Sequence, residues 1–331
     1  MNGLFRGGII GTGSYVPPKI VTNKDLEKIV DTSDEWIVAR TGIRERRIAD
    51  PSMATSDMAT EAARRALESS GMEAKDIDLI IVATVTPDVI FPSTACIVQS
   101  NIGATNAAAF DIAAACSGFV YGIIVANQFI AAGMYKNVLV IGADCLSKFT
   151  NWRDRSTCIL FGDGAGAVVM SRVDEGYGII SQYMGADGGG GKFLTIEAGG
   201  SRKPASIETI EQELHYIQMD GSEVFKFAVR TMASASEEAV RLAGLCKEDV
   251  DFLIPHQANI RIIEAARKRL NLPKDKVYVN LEKYGNMSAA SIPVALDEAY
   301  SRGSIQKDDN IVMVAFGAGL TWASVLVKWI K

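Results

Sequence analysis

The apolar stretches of this chain recur in a fixed order, and two pairs of them share one spacing. Residues 71–82 run from a polar turn into an apolar strand, and residues 244–255 do the same. The apolar run 137–142 likewise resembles 310–315. In both pairs the offset is 173 residues. Two separate matches at one offset predict a duplicated unit of about 170 residues.

Each half alternates apolar strands with longer amphipathic segments, in the order strand, helix, strand, helix, strand. This order predicts an α/β protein with two mixed, mostly parallel sheets connected by crossover helices. We place the boundary so that residues 1–175 form the first half and residues 176–331 the second. Ligands of such sheets bind beyond the carboxyl ends of the strands, so chemistry is expected there.

One uncharged segment, residues 112–135, is long enough to resemble a membrane span. However, Asn127 and Gln128 lie side by side within it, and several glycines dilute its hydrophobicity. A helix that is buried on all sides in a large α/β protein has the same composition. We therefore expect a central core helix and no membrane contact.

The composition narrows the classes of function. The chain has 331 residues and a net charge of −5, which argues against nucleic-acid binding. Its five cysteines show no zinc-type or disulfide spacing, so we expect reduced thiols and no metal site. The first six residues lack the basic-then-apolar pattern of a signal peptide, which favours a cytoplasmic protein.

Cys116 is the strongest candidate for chemistry. It follows a predicted strand, residues 107–112, and precedes the uncharged segment. A thiol at such a junction faces the positive end of the helix dipole, which favours the thiolate and makes a nucleophile. Most cysteines are instead small buried apolar residues, so the interpretation depends on what else lies nearby.

His256 and Asn286 lie at comparable junctions in the second half. His256 ends the apolar strand 252–255, and Asn286 lies in a turn before a helix. With the 173-residue offset, His256 corresponds to Ala83, and Asn286 corresponds to a position three residues before Cys116. The sequence therefore predicts that the thiol, the imidazole and the amide meet at one site. Of the two histidines in the chain, His256 is the better candidate for acid–base chemistry.

Three glycine-rich stretches are candidates for binding loops. Residues 11–16 and 186–193 only partly match dinucleotide and phosphate fingerprints, which argues against nucleotide chemistry. Residues 317–319 directly follow the last repeat strand. Two interpretations of this segment stay open: its backbone N–H groups hold an oxyanion at the central site, or its glycines form a tight turn.

Taken together, these motifs resemble β-ketoacyl-acyl-carrier-protein synthase III, the condensing enzyme that initiates type II fatty-acid synthesis. The resemblance covers nearly the whole chain and is carried by residues 34–46, 115–119, 161–166, 255–259, 285–288 and 316–322. It implies a duplicated thiolase-like fold in α-β-α-β-α layers, with no cofactor. It also implies acyl-coenzyme A and an acyl carrier protein as partners, and a homodimer.

The resemblance implies a role for each central residue. Cys116 would accept the acyl group, because thioesters exchange readily with a thiolate. His256 and Asn286 would donate hydrogen bonds to the enolate that forms when malonyl-acyl carrier protein loses CO2. The backbone N–H groups of Cys116 and Ala318 would hold the tetrahedral oxyanion. The family often has glycine where this chain has Ala318, which matters little for a backbone donor.

Further positions are implied by the same resemblance, and each also has a plain structural explanation. The coenzyme A site would comprise Trp36, Arg40, Arg155 and Asn259. The acyl pocket would be lined by Leu146, Leu160, Phe161 and Phe316, together with Phe91 contributed across the dimer interface. The carrier protein would meet Lys226, Arg261 and Lys268.

Rival classes fit less well. A papain-like protease also has Cys, His and Asn in this order, but it needs a different sequence around the cysteine. A degradative thiolase would carry a second cysteine within residues 316–322, and elongating synthases use two histidines where this chain has His256 and Asn286. A hydroxymethylglutaryl-CoA synthase would need a carboxylate base, and the acidic residue nearest in sequence to Cys116 is Asp111. A condensing enzyme of secondary metabolism and a non-catalytic acyl-binding relative remain as alternatives, and primer choice stays open.

Overall fold

The computed structural model describes residues 5–331. The segment in which a signal peptide was not expected therefore lies largely outside the described residues. The strands, numbered in chain order, are β1 (Arg6–Tyr15), β2 (Ile20–Thr22), β3 (Glu45–Arg47), β4 (Leu79–Ala83), β5 (Ala108–Ile112), β6 (Asn137–Cys145), β7 (Asp163–Val173), β8 (Gly178–Ala186), β9 (Leu194–Thr195), β10 (Gln218–Met219), β11 (Phe252–Pro255), β12 (Asn310–Gly317) and β13 (Thr321–Lys328).

The α-helices lie between these strands. In chain order they are α1 (Asn23–Leu26), α2 (Asp34–Thr41), α3 (Thr55–Ser70), α4 (Thr94–Ile102), α5 (Gly118–Ala131), α6 (Arg155–Cys158), α7 (Ile207–Glu211), α8 (Gly221–Leu242), α9 (Ile260–Arg269), α10 (Leu281–Tyr284) and α11 (Ser291–Ser301).

Two large sheets form the body of the protein. The first has the order β1-β7-β6-β4-β5 and the second has the order β11-β12-β13-β8. Each sheet therefore draws its strands from one side of the predicted boundary at residue 175. The mixed pairing agrees with the sequence analysis, but the expected predominance of parallel pairs was wrong. Among the strands of the described residues, only β4 with β5 and β6, and β11 with β12, pair in parallel.

The extra antiparallel pairs have a local cause. β12 and β13 are separated only by residues 318–320, and so short a connection can join only antiparallel neighbours. β8 then extends the same sheet beside β13, and β1 pairs with β7 at the edge of the first sheet. In the second half, the counterpart of the β4–β5 pairing is reduced to an isolated parallel bridge between Leu253 and Val277.

Three apolar clusters stack the elements into five layers. One lies between the two sheets and includes α5 and α11, with Phe119, Ile123 and Leu296 fully or almost fully buried. A second joins α3 to the outer face of the first sheet. A third joins α8 and α9 to the outer face of the second sheet. The predicted α-β-α-β-α order is thus confirmed, and the uncharged segment forms the central helix α5 as expected. No helix in the described chain is long and apolar enough to span a membrane.

The duplication is visible in individual hydrogen bonds. The Asn137 side chain donates to the Asp76 carbonyl at 2.8 Å, and the Asn310 side chain donates to the Asp249 carbonyl at 2.7 Å. Asn310 and Asp249 lie 173 residues after Asn137 and Asp76, so the hydrogen bond repeats at the offset read from the sequence. The turns that precede α5 and α11 also correspond, and each begins with a residue at positive φ, 45° at Ala115 and 47° at Ser288.

Candidate active site

Cys116 lies in the short 3-10 turn Ala115–Ser117, between β5 and the first residue of α5. Cys116 is buried, with 8% of its surface exposed. The strand ends at the carboxyl edge of the first sheet, and the turn reverses the chain into the helix that fills the space between the sheets. The thiol therefore sits at the strand-to-helix junction predicted from the sequence.

The ionisation of this thiol differs from the expectation. Burial raises the pKa of Cys116 to about 12, although hydrogen bonding from Ser288, from its own backbone N–H and from Asn286 offsets part of the rise. Loss of hydration at this depth therefore opposes the thiolate that the helix terminus was expected to favour. The resting group at neutral pH is the thiol.

His256 follows β11 and is almost fully buried. Its backbone N–H donates to the Val314 carbonyl at 2.8 Å, and its Nδ1 lies 2.6 Å from the Ser291 hydroxyl. Its Nε2 is buried and has no hydrogen-bond partner within residues 5–331. Burial lowers the pKa of His256 to about 3, so the imidazole is neutral over the physiological range.

Gln257 holds the loop that carries His256. Its side-chain amide donates to the carbonyls of Pro255 at 2.7 Å and Tyr278 at 3.1 Å, and its Oε1 accepts from the Asn280 N–H at 3.1 Å. A fully buried amide with these three bonds fixes the path of the chain after β11. The sequence placed Gln257 within a motif but gave it no role.

Asn286 is held in place by its backbone and its side-chain carbonyl. Its N–H donates to the Leu160 carbonyl at 2.8 Å, and its Oδ1 accepts from the Ser288 N–H at 2.8 Å. Because the carbonyl end of the amide is used in this way, the NH2 end remains as the donor toward Cys116. The three predicted residues thus come together from both halves of the chain.

Two cavities meet at Cys116. We call the first the histidine cavity; its volume is about 90 Å³, and its lining includes Cys116, His256, Asn286, Asn259 and Phe316. We call the second the apolar cavity; its volume is about 320 Å³, and it is lined by Val85, Thr86, Ala115, Cys116, Leu146, Phe161, Leu194, Thr195, Ile196, Ile217, Ser288 and Ala318. A thiol shared by these two cavities can meet an apolar group in the apolar cavity and the polar side chains of His256 and Asn286 in the histidine cavity.

The predicted apolar lining is divided between these cavities. Leu146 lines the apolar cavity, Leu160 and Phe316 line the histidine cavity, and Phe161 lines both. Phe91 reaches neither cavity and is 84% exposed. The sequence analysis missed three further apolar lining residues: Leu194 and Ile196, just before the polar stretch 197–220, and Ile217, within it. Their apolar character in a polar surrounding was the available signal.

The hairpin between β12 and β13 packs directly against the Cys116 turn. A Cβ atom at Gly317 would lie 2.7 Å from the Cys116 nitrogen, so only glycine allows this approach. The Thr321 hydroxyl lies 2.7 Å from the Ser117 hydroxyl and 3.1 Å from the carbonyls of Ala114 and Ala318. These bonds place Ala318 beside the thiol, and Thr321 was not recognised from the sequence as part of the site.

A buried carboxylate, also missed, supports the wall opposite the hairpin. Asp144 is fully buried at the end of β6, and it accepts hydrogen bonds from the Thr84 and Thr86 hydroxyls and from the N–H groups of Val85 and Ala289. Burial raises its pKa. These contacts link the lining of the apolar cavity to the turn after Asn286. Because the partners come from separate segments, spacing alone could not reveal them.

The four residues assigned to coenzyme A form one group at the surface. The guanidinium carbons of Arg40 and Arg155 lie 4.4 and 5.0 Å from the centre of the Trp36 ring. The Asn259 side chain donates to the Arg40 carbonyl at 2.9 Å and also lines the histidine cavity. Asn259 therefore connects this surface group with the cavity that contains Cys116.

The three basic residues assigned to the carrier protein are exposed on α8 and α9. The Arg261 guanidinium lies 4.7 Å from the centre of the Phe225 ring, which brings it beside Lys226 on the neighbouring helix. Lys268 lies two turns further along α9. Arg230, one turn after Lys226, lines the same surface cavity as Lys226 and was not predicted. No cluster in residues 5–331 combines three or more metal-ligating side chains.

The chain is similar to several known proteins. The family description "3-Oxoacyl-[acyl-carrier-protein (ACP)] synthase III" matches residues 110–188, and its C-terminal counterpart matches residues 240–329. A β-ketoacyl-[acyl-carrier-protein] synthase III of Caldanaerobacter subterraneus is 68% identical over 99% of both chains. One of Clostridioides difficile is 61% identical over 98% of both. The crystal structure of 3-oxoacyl-[acyl-carrier-protein] synthase III from Aquifex aeolicus shares 50% identity with a TM-score of 0.90, covering 98% of this chain and all of that one.

Proposed function

We propose residue roles for this chain from the premise that it belongs to the β-ketoacyl-[acyl-carrier-protein] synthase III family. It is an acyltransferase, the initiating condensing enzyme of fatty-acid biosynthesis. The carrying observation is that Cys116, His256 and Asn286 line one cavity, while Cys116 also opens onto an apolar one. The first cavity suits the reacting polar groups, and the second suits the primer chain.

In the first half-reaction, the Cys116 sulfur attacks the carbonyl carbon of an acyl-coenzyme A. The carbon–sulfur bond to coenzyme A breaks, the acyl group remains on Cys116, and the thiol proton leaves with the coenzyme A sulfur. The carbonyl oxygen becomes an oxyanion during the attack. The N–H groups of Cys116 and Ala318 stabilise it, since both residues border the apolar cavity.

In the second half-reaction, malonyl-acyl carrier protein loses CO2 and leaves an enolate. The negative charge collects on the thioester oxygen, where the His256 Nε2–H and the Asn286 side-chain N–H2 donate hydrogen bonds. The neutral state of His256 supports this role, because a neutral imidazole can donate from Nε2 without carrying charge into a buried site. The enolate carbon then attacks the acyl-cysteine carbonyl carbon, the carbon–sulfur bond to Cys116 breaks, and the released thiolate takes up a proton from solvent. No cofactor takes part in this scheme.

The partners follow from the surface around the entrance. The stacked group of Trp36, Arg40 and Arg155 suits the adenine and phosphates of coenzyme A, because an indole ring stacks and guanidinium groups bind phosphate. Lys226, Arg261 and Lys268 present positive charge on two adjacent helices, which suits an acidic carrier protein.

A homodimer is supported by two exposed features. Ile90 and Phe91 are each 84% exposed, which is unusual for adjacent large apolar residues. Strand β5 pairs only with β4 and leaves an edge of the first sheet open. A second copy that paired along this edge would cover both features, and its Phe91 would extend the apolar cavity.

The deciding experiment is intact-protein mass spectrometry after mixing with acetyl- or isobutyryl-coenzyme A. We expect an acyl adduct on the wild type and none on Cys116→Ala. Cys158→Ala is the matched control, because it removes another buried thiol outside both cavities. An adduct on Cys116→Ala, or none on the wild type with any acyl-coenzyme A, would contradict the proposed role of Cys116.

A further inference from the structure

Ser291 is the first residue of α11. Among the described residues, its hydroxyl is the only side-chain group within hydrogen-bond distance of the His256 imidazole. Its Oγ lies 2.6 Å from Nδ1, and Ser291 is fully buried. The same oxygen lies 3.5 Å from the Gln257 N–H, which points at it as a donor. The hydroxyl thus sits between one fixed donor and one ring nitrogen whose protonation depends on the tautomer.

Counting donors and acceptors selects one tautomer. If Nδ1 carried the proton, the Ser291 oxygen would face two donors, and its own proton would have no acceptor in residues 5–331. A buried hydroxyl proton without an acceptor is destabilising. If Ser291 instead donates to Nδ1, its oxygen is free to accept from Gln257, and the imidazole proton resides on Nε2. Only Nε2–H then lacks a partner, and it faces the cavity where substrate binds.

The duplicated half supplies an independent comparison. At the 173-residue offset, His256 corresponds to Ala83 and Ser291 corresponds to Gly118. These two also touch, since a Cβ atom at Gly118 would lie 3.1 Å from the Ala83 Cβ. The same contact between strand end and helix start therefore occurs twice in the protein. In the second half the contact joins an imidazole to a hydroxyl, and in the first half the corresponding contact is apolar.

We infer that Ser291 is a positioning residue that holds His256 in the Nε2–H tautomer, so that this imidazole is a hydrogen-bond donor to the substrate. The inference rests on the proposed role of His256 in the condensation step. It has a chemical consequence: with Nε2 protonated, His256 cannot accept the Cys116 proton at that atom. Ser291 should therefore matter for condensation and hardly at all for acyl transfer to Cys116.

The tautomer can be read directly in the resting enzyme. The chain has only two histidines, so a long-range proton–nitrogen spectrum of histidine-labelled protein contains two imidazoles, and His215→Gln identifies the signals of His256. We expect a pyrrole-type nitrogen at Nε2 and a pyridine-type nitrogen at Nδ1. The reverse pattern would overturn the inference. This readout needs no substrate, so it is independent of whether the proposed reaction is correct.

The kinetic test separates the two half-reactions. In Ser291→Ala, we expect condensation kcat to fall about tenfold, as loss of one hydrogen bond to a reacting group predicts, with KM for malonyl-acyl carrier protein and the acylation rate unchanged. Ser291→Thr keeps the hydroxyl and should restore most of the rate. Ser171→Ala is the matched control, because it removes a buried hydroxyl with one side-chain bond far from the site. Equal losses in both half-reactions, or no rescue by threonine, would show that Ser291 acts only in folding.

Discussion

At the amino ends of β6 and β12, Asn137 and Asn310 make the same hydrogen bond to the preceding turn. At the carboxyl ends of the same two strands the equivalent positions differ completely. The first half has Asp144, a buried carboxylate that ties loops together, and the second half has Gly317, whose missing side chain admits the Cys116 backbone. The duplicated halves thus agree where they form the scaffold and diverge where they form the site.

The same contrast holds across the central turns. Ala115 and Ser288 share a positive φ, yet the residue that follows is Cys116, the proposed nucleophile, in one half and Ala289 in the other. His256 is likewise opposed to Ala83. One copy contributes the thiol and the other contributes the donors, so each catalytic group has an apolar counterpart that shows the bare scaffold. This pairing makes it possible to revert one site residue at a time to a side chain that the fold already tolerates.

The largest effect is expected from His256→Ala, which gives the second half the residue that the first half has at this position. The condensation rate should fall about 10²–10³-fold, because an enolate donor is lost. Acyl transfer to Cys116 should change little. The two rates are measured separately, by β-ketoacyl product formation and by intact-mass detection of the acyl-enzyme.

His215→Ala is the control for this variant, since it removes the other histidine, which lies outside both cavities. If His256→Ala slowed acyl transfer as strongly as condensation, His256 would serve the nucleophile, and the division of labour between the halves would be wrong.

A smaller effect is expected from Gly317→Ala, which adds a side chain where the first half has one. The new Cβ would lie 2.7 Å from the Cys116 nitrogen and 3.0 Å from the Ala114 oxygen, so the nucleophile turn or the hairpin must shift. We expect both half-reactions to slow about tenfold and the free energy of unfolding to fall by about 1–3 kcal/mol. Gly188→Ala, at a position with nothing within 4 Å, should change neither. Full acyl-transfer activity in Gly317→Ala would show that the close approach is not needed.

The sequence predicted those features that depend on spacing along the chain. The 173-residue offset identified the duplicated unit, and it placed His256 and Asn286 near Cys116 because both halves fold alike. The strands β11 and β12 were predicted to within two residues at each end. The mostly parallel pairing failed because the pattern of alternating strands and helices does not show that β13 folds back on β12.

The features that the sequence did not predict arise from contacts between distant segments. Asp144 accepts a hydrogen bond from Ala289, which lies 145 positions later in the chain, and the Thr321 hydroxyl contacts the Ser117 hydroxyl across 204 positions. Nothing local marks either residue as part of a site. The effect of burial on the Cys116 pKa also could not be predicted from sequence, because the depth of burial is a property of the whole fold.

The smallest effects are expected where the halves agree, at Asn137 and Asn310. Asn310→Ala removes one side-chain bond from a half-buried residue, so the free energy of unfolding should fall by about 0.5–1.5 kcal/mol. Asn137→Ala should cost about 1–3 kcal/mol, because Asn137 is buried and its Oδ1 also accepts from Ser171 at 2.7 Å, which leaves that hydroxyl unpaired. Urea unfolding measures both, and kcat should stay at the wild-type value in each. A loss of activity in either variant without a matching loss of stability would mean that the amino ends of the strands also influence the site. The distinction between amino ends that stabilise the fold and carboxyl ends that form the site would then be wrong.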